Sequence, residues 1–313
     1  MKSVFLHAFR NVRPGRFLLA VLAITLVCAS AAKAAPVPPP IKITSSSCNY
    51  VILDPGVYSL ETDIGPCGPG SYGIVIEASN VTVYLNGHTL NGSAVPENCD
   101  GVIGINPSLN FFGGGPSTNV NIVGPGNIEN FQYGVEAVFT SNSSASFLKI
   151  TSNCAQLQSN SGFYPSFGFY IDYSASNWTL LGNEVHMPVT TGAGGVDAAM
   201  IIFSGDNYIA GNSVNDSIWL FGSVNVLFGN FFSNGRSGIQ LYGASNNQII
   251  ANTTDNNSGN NGIWLDAGSI GNLVTLNRSL HNTPYDMEDD SPGCGTNKWV
   301  RNNFKTANQA CIH

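Results

Sequence analysis

NNQIIANTTDNNSGNNGIWLD, the stretch from Asn246 to Asp266, contains seven asparagines. Asparagine is a poor choice inside a helix or an ordinary strand, because its side chain competes for backbone hydrogen bonds and its backbone tolerates the left-handed region that strands avoid. It is favoured in turns. The stretch therefore indicates either a disordered tract or a structure that turns sharply every few residues and repeats itself.

The same pattern recurs along the second half of the chain, where two asparagines five residues apart enclose a short apolar run. The recurrences are NYIAGN at 207, NVLFGN at 225, NQIIAN at 247, NLVTLN at 272 and NKWVRN at 297. Successive starts lie 18, 22, 25 and 25 residues apart. A repeat of this length is typical of a solenoid, in which each unit stacks on the next.

Another short strand precedes most of these units, as SIWLF at 217, GIQLY at 238 and GIWLD at 262. Strand alternation places Ile263 and Leu265 on one side and Trp264 and Asp266 on the other. Stacked coils of such strands would bury the aliphatic side chains in a narrow cylinder. The sequence predicts an all-β fold, a single-stranded right-handed parallel β-helix of about 18–25 residues per coil. The asparagines are expected in left-handed turn positions, hydrogen-bonded from coil to coil in ladders.

The N-terminus carries an export signal. Basic residues precede the apolar run FLLAVLAITLV, and the run ends at the small-residue pattern around Ala32 and Ala34. We interpret residues 1–34 as a signal peptide, 35–47 as a proline-rich linker and 48–313 as the β-helix domain. The expected location is secreted or periplasmic, with no stable membrane span after cleavage; an uncleaved anchor is the alternative.

Six cysteines remain once Cys28 leaves with the signal peptide. An even number in an exported chain favours disulfides over metal thiolates. The spacing predicts one disulfide near each end of the domain, Cys48 with Cys67 and Cys294 with Cys311. Cys99 and Cys154 are then left to pair, and the sequence leaves that pairing open.

The charge of the mature chain limits its partners. Cleavage removes five of the twelve basic residues and none of the nineteen acidic ones, so that seven oppose nineteen and the net charge is −12. Such a chain repels nucleic acid and anionic membranes. It also disfavours a polyanionic sugar chain, unless a divalent cation such as Ca²⁺ mediates the contact.

Three segments resemble a known group of proteins. DPGVYSLETDIGPC from Asp54 and NVTVYLNGHTLNG from Asn80 resemble its opening coils, and CGTNKWVRNNF from Cys294 resembles a closing coil. The group is that of secreted right-handed parallel β-helix proteins, which includes pectate lyases, polygalacturonases, alginate epimerases and the periplasmic copper-accessory proteins of nitrous oxide reductase. The resemblance implies the fold, and a polysaccharide as the partner. One such scaffold hosts many functions, however.

Outward positions of the first strand in each coil form the candidate site. Stacking the coils predicts one column of Tyr170, Trp219, Gln240, Trp264 and Asp286, and beside it Asp172, Phe221, Tyr242, Asp266 and Glu288. Exposed aromatic rings along a sheet can stack against sugar rings. We therefore predict a substrate-binding face of Tyr170, Asp172, Trp219, Phe221, Arg236, Gln240, Tyr242 and Trp264. The alternative is that a loop around Phe111 to Pro116 covers the rings.

Catalysis would require carboxylates that act as acid and base. Asp266, Asp286 and Glu288 are the candidates for a hydrolase, lyase or epimerase, because neighbouring carboxylates can raise one another's pKa. The alternative is a solvated acidic edge, since the paired aspartates, Gly-His-Gly and Arg-x-Lys elements of polygalacturonases do not occur. Whether the protein is an enzyme therefore stays open, and a non-catalytic adhesion or matrix protein is the second interpretation.

Metal sites have weaker support in the sequence. The run DMEDD from Asp286 could bind Ca²⁺ through its carboxylates, although it lacks the ordered spacing of a dedicated calcium loop. A copper-accessory role is a remote alternative, because soft-metal ligands are limited to His186 with Met187 and His281 with Met287. We expect no metal or other cofactor apart from a possible Ca²⁺.

Overall fold

The computed structural model describes residues 38–93, 101–108, 116–152, 158–159, 162–163, 166–187 and 198–313. Strands are numbered in chain order. All but one of the strand pairings are parallel, and each strand pairs with its counterpart in the preceding and following coils. The protein is a right-handed parallel β-helix, which confirms the predicted fold class. From Pro40 onward the chain forms one unit; residues 1–37, and with them the proposed signal peptide, lie outside the described ranges.

The first face of the coil is a ten-stranded parallel sheet. Its strands are β2 (Tyr50–Ile52), β4 (Ser71–Ile76), β7 (Gly101–Asn106), β10 (Phe131–Ala137), β14 (Phe167–Ile171), β17 (Met200–Ile202), β20 (Ile218–Leu220), β23 (Ile239–Leu241), β26 (Ile263–Leu265) and β29 (Met287–Asp289).

The second and third faces are joined by two long strands that turn the corner between them, β9 (Val120–Glu129) and β11 (Thr140–Thr151). The second face also contains β1 (Ile41–Ile43), β3 (Gly56–Leu60), β5 (Val81–Tyr84), β8 (Ser117–Thr118), β15 (Ser176–Leu181), β18 (Tyr208–Ala210), β21 (Val226–Phe228), β24 (Gln248–Ile250), β27 (Leu273–Thr275) and β30 (Lys298–Val300). The third face also contains β6 (Thr89–Asn91), β16 (Glu184–His186), β19 (Ser213–Val214), β22 (Phe231–Ser233), β25 (Thr253–Asp255) and β28 (Arg278–Leu280). An antiparallel pair, β12 (Gln158–Ser159) with β13 (Gly162–Phe163), and a 3-10 turn at Pro292–Cys294 complete the elements.

Aliphatic side chains of successive coils stack in register inside the cylinder. Ile218, Ile239 and Ile263 are paired in sequence along the first face, and all three are fully buried. Burying a side chain of this size contributes about 1.5–3 kcal/mol. The core is therefore a column that lengthens by one layer with each coil, as expected for a solenoid.

Two long asparagine ladders run along the coil and confirm the predicted stacking. One contains Asn207, Asn225, Asn247, Asn272 and Asn297, and the other Asn183, Asn212, Asn230, Asn252, Asn277 and Asn302. In each step, the side-chain oxygen of one asparagine accepts the backbone N–H of the asparagine in the preceding coil. In nearly every step it accepts that residue's side-chain amide as well.

The left-handed position predicted for these asparagines belongs instead to the residue before them. In the second ladder the preceding residues, all with positive φ, are Gly182, Gly211, Gly229, Ala251, Leu276 and Arg301. The ladder asparagine points inward from the following position, where its side chain reaches both neighbouring coils. The prediction was wrong on this point because it assigned the turn and the ladder to a single residue.

Both terminal disulfides are present. Cys48 bonds to Cys67 and Cys294 bonds to Cys311, as their spacing predicted. Cys99 and Cys154 lie outside the described residues. In the described part of the chain, no helix is both long and apolar enough to span a membrane.

Candidate functional site

The register of the first face fixes which outward side chains stack. Successive pairings connect Glu136, Tyr170, Ile201, Trp219, Gln240, Trp264 and Glu288, which we call the outer column. Four of the five residues predicted for it, Tyr170, Trp219, Gln240 and Trp264, are in place. The fifth is wrong, because Glu288 rather than Asp286 pairs with Trp264.

Asp286 is instead a buried structural residue, with 2% of its surface exposed. One carboxylate oxygen accepts the backbone N–H of Asn282 and the other accepts that of Lys305, at 3.0 and 2.8 Å. The side chain therefore holds the turn before β29 to the C-terminal segment. A carboxylate so fully hydrogen-bonded inside the protein has no access to a substrate.

A second outward row lies two residues further along each strand. The predicted members Asp172, Phe221, Tyr242 and Asp266 occupy it, each donating its backbone N–H to the preceding coil. Asp290 holds the position predicted for Glu288. The prediction also missed the whole coil of β17. This coil adds Ile201 to the outer column and Phe203 to the second row.

Aromatic side chains from the two rows, together with neighbouring rings on the same face, form a continuous aromatic ridge. Its members are Tyr133, Phe167, Tyr170, Tyr173, Phe203, Trp219, Phe221, Tyr242 and Trp264. The rings of Phe203, Phe221 and Tyr242 stack nearly parallel, with centroids 4.7 and 5.0 Å apart. Faces within this stack cover one another, so the stack offers its edges to solvent. Trp264, perpendicular to Tyr242, ends the ridge.

Beyond the stack, the ridge opens into a cleft of about 350 Å³ near the C-terminal end, the C-terminal cleft. The residues that matter for its chemistry are Gln240, Tyr242, Asn261, Trp264, Glu288 and Asp290. The Tyr242 hydroxyl donates to Gln240 Oε1 at 2.5 Å, and Trp264 Nε1 donates to Asp290 Oδ2 at 3.0 Å. The Asn261 amide donates to Glu288 Oε2. Prediction missed Asn261 and Asp290, because both interact with residues a full coil away.

Burial perturbs two titratable groups in the C-terminal cleft. Desolvation raises the pKa of Glu288, the Asp290 carboxylate raises it further, and the hydrogen bond from Asn261 opposes both. Desolvation, together with the Asp266 carboxylate, raises the pKa of Tyr242 to about 12. The tyrosine is therefore a neutral hydrogen-bonding group at physiological pH, whereas Glu288 holds its proton more readily than an exposed glutamate.

The three predicted catalytic carboxylates do not converge. Asp266 accepts the backbone N–H of Gly243 and Gly268 and the hydroxyl of Ser269, so it stabilises the turn after β26. With Asp286 buried, Glu288 is the one candidate of the three that lines the C-terminal cleft. Arg236 is half-buried and does not line the cleft, although its charge opposes the rise in the pKa of Tyr242.

A second acidic pair, Glu136 and Asp172, lies at the other end of the aromatic ridge. Desolvation, with a contribution from Asp172, raises the pKa of Glu136 to about 7. The next residue toward the N-terminus in the same row is Asn106, whose buried side-chain oxygen has no hydrogen-bond partner among the described residues. The sequence signal that identifies Glu136 is its place in the outer column, which becomes visible only once the register of β10 is known.

The metal-binding candidates are dispersed. In the described ranges, no three His, Cys, Asp or Glu side chains are grouped as metal ligands. Within the DMEDD run, Asp286 and Asp289 are buried and hydrogen-bonded, which leaves Glu288 and Asp290 on the surface. His186 and His281 pair with the carboxylates of Glu184 and Asp255 on the third face.

Comparison with other proteins identifies the fold. No protein-family model and no curated protein sequence matches the chain. Among solved structures, the chain is similar to the Dettilon tailspike protein (gp208), with 17% sequence identity and a TM-score of 0.53. The match covers 83% of this chain and 60% of the tailspike chain. At this level of identity, the likeness shows a shared parallel β-helix fold.

Proposed function

We propose that this is an exported protein that binds a polysaccharide along the aromatic ridge and in the C-terminal cleft. The observation that carries the proposal is the continuity of the two: a row of aromatic rings leads into a cleft lined by Trp264, amides and carboxylates. Sugar-binding sites combine these groups, because aromatic rings supply apolar surface to sugars and amides or carboxylates bind their hydroxyls.

The geometry of the coil favours an extended ligand. Neighbouring strands lie about 4.8 Å apart, which is comparable to the length of one sugar unit in a chain. A glycan that runs parallel to the coil axis could therefore place successive units over successive coils. The net charge of −12 after signal cleavage favours a ligand that is not polyanionic.

Export is supported by the disulfides. Cys48–Cys67 and Cys294–Cys311 join residues near the two ends of the coil, and disulfides persist in oxidising compartments. Together with the basic and apolar N-terminus, they favour a secreted or periplasmic location.

The binding test compares two aromatic side chains on different faces. Trp264→Ala should weaken binding of the recognised glycan at least tenfold, because the ring is the largest apolar surface in the cleft. Tyr208→Ala is the matched control, since Tyr208 is an exposed aromatic residue on the second face. Isothermal titration calorimetry against a panel of polysaccharides measures the affinity of both variants. Equal losses in the two variants, or no binding across the panel, would contradict the proposal.

Cleavage of the bound glycan is a second candidate function, favoured by the environment of Glu288. Its raised pKa suits a general acid, and Asp290, which also lines the cleft, supplies the second carboxylate that glycoside hydrolysis requires. Incubation with the same panel, with and without Ca²⁺, should then release reducing ends or unsaturated products. Loss of this release in Glu288→Gln would support an enzyme. Binding without turnover would favour an adhesion or matrix protein.

A further inference from the structure

The C-terminal cleft has an uncompensated negative charge. Glu288 and Asp290 line it, whereas none of the Lys, Arg or His residues in the described ranges does. The hydrogen bonds that reach these two carboxylates come from neutral donors, namely Asn261, Asn308 and Trp264. In the described part of the chain, neither carboxylate takes part in an ion pair. Glu61, Glu184 and Asp255, by contrast, each have a basic partner.

Placing this charge in the cleft is unfavourable without a ligand. Burial is the largest cause of the raised pKa of Glu288, and repulsion from Asp290 adds to it. A positive charge between the two carboxylates would relieve both effects. The apo cleft therefore has the electrostatic character of a site for a cation.

The adjoining side chains favour a ligand larger than an ion. Trp264 and Tyr242 supply apolar ring surface, and the cleft volume of about 350 Å³ accommodates a ring-sized group. Gln240 is 2% exposed and lines the cleft, and its only side-chain hydrogen bond in the described ranges is the one accepted from Tyr242. Its amide nitrogen is thus a donor in the cleft that is available to a ligand hydroxyl. A bare metal ion would use neither the rings nor this donor.

We propose that the C-terminal cleft binds a sugar unit that carries a protonated amino group, as in an unacetylated hexosamine. The ammonium lies between Glu288 and Asp290, the sugar ring packs on Trp264, and Gln240 donates to a hydroxyl. The proximity of the ammonium to Trp264 adds a cation–π attraction. This inference rests on the proposed function and specifies the chemical class of the glycan.

The test compares two ligands that differ only at nitrogen. Monodisperse tetramers of glucosamine and of N-acetylglucosamine are titrated into the mature protein by calorimetry at low and physiological salt. The wild type should bind the amine at least tenfold more tightly, and the preference should shrink as salt screens the charges. Binding of the amine should also be bell-shaped in pH, because Glu288 must be ionised while the amine stays protonated.

Two variants test whether Glu288 and Asp290 cause the preference for the amine. Glu288→Gln should abolish it, and so should Asp290→Asn, which alters an exposed side chain. Asp206→Asn is the control, because it removes the same charge from an exposed turn residue on the loop after β17 and should leave the preference intact. A preference that survives Glu288→Gln and Asp290→Asn would overturn the inference, since it would then arise from the net charge of the protein.

Failure of the inference can be told apart from failure of the proposed function. Equal, Trp264-dependent affinity for both tetramers would refute the amine preference and leave glycan binding intact. No Trp264-dependent binding of either tetramer or of any other glycan would refute both.

Discussion

Removing one asparagine from the middle of a ladder should cost much of the stability of the protein. Asn252 is fully buried, and its side chain makes four hydrogen bonds. Its oxygen accepts the backbone N–H and side-chain amide of Asn230, both at 2.9 Å. Its amide donates to Leu227 O at 3.0 Å and to Asn277 Oδ1 at 3.1 Å.

The change Asn252→Ala removes all four bonds. At a net contribution of about 1 kcal/mol each, their loss lowers the free energy of unfolding by about 4 kcal/mol. The largest part arises at Asn230, whose buried backbone N–H is left without its partner. The side-chain amide of Asn230 retains its bond to Ile209 O, so that group is not orphaned. Stability is typically about 5–15 kcal/mol in total, so the loss is severe.

Urea denaturation of the disulfide-intact mature protein, followed by circular dichroism, measures the effect. Asn303→Ala is the matched control, because this asparagine is exposed and should change stability by less than about 0.5 kcal/mol. The midpoint should shift while the slope stays constant, provided that the coil unfolds cooperatively. A loss in Asn252→Ala no larger than that in Asn303→Ala would refute the view that the ladder stabilises the coil.

Three further predictions concern the first face and the ends of the coil. The pKa of Glu136 rises from 4.5 to about 7, so the folded state keeps a proton that the unfolded chain releases, and stability should fall between pH 4.5 and 7 by roughly 3 kcal/mol. Glu136→Gln should remove this fall in melts across pH; an unchanged pH profile would contradict it. Replacing Cys294 and Cys311 by serine should cost about 3 kcal/mol by denaturation, since the bond closes a loop of 17 residues. Gly222→Ala should prevent folding or soluble expression, because the added carbon would lie 1.7 Å from the carbonyl oxygen of Ser204; a soluble variant of native stability would contradict it.

The fold could be predicted from the sequence because the coil repeats the same physical requirement. A side chain whose amide must bond to the coils on both sides is almost always asparagine. Asn225, Asn247 and Asn272 therefore recur in the sequence at the length of one coil. The left-handed residue before each of them has no such signature. Val224, Asn246 and Gly271 occupy that position, because any of them can adopt it when the ladder fixes the turn.

The register of individual strands was harder to predict, and the errors fall where the repeat is interrupted. The coil of β17 reads AAMIIF and has no asparagine pair before it, so Ile201 and Phe203 were missed. At the C-terminal end, YDMEDD offers two alignments that both alternate apolar with polar residues. Both turn Met287 inward, but its pairing with Ile263 rather than Leu265 selects the alignment that leaves Asp286 in the turn before the strand.

The chemistry of the candidate site depends on contacts one coil apart, which local patterns do not reveal. Trp264 bonds to Asp290 and Asn261 bonds to Glu288, across 26 and 27 residues. These separations are close to the 25-residue spacing of the last asparagine units. The spacing of the repeat therefore predicts which side chains of neighbouring coils meet. Comparing each outward residue with the residues 24 to 27 positions further along the chain would have paired Trp264 with an acidic residue. The cleft would then have been expected where carboxylates from one coil meet aromatic and amide groups from the coil before it, which is where the structure has it.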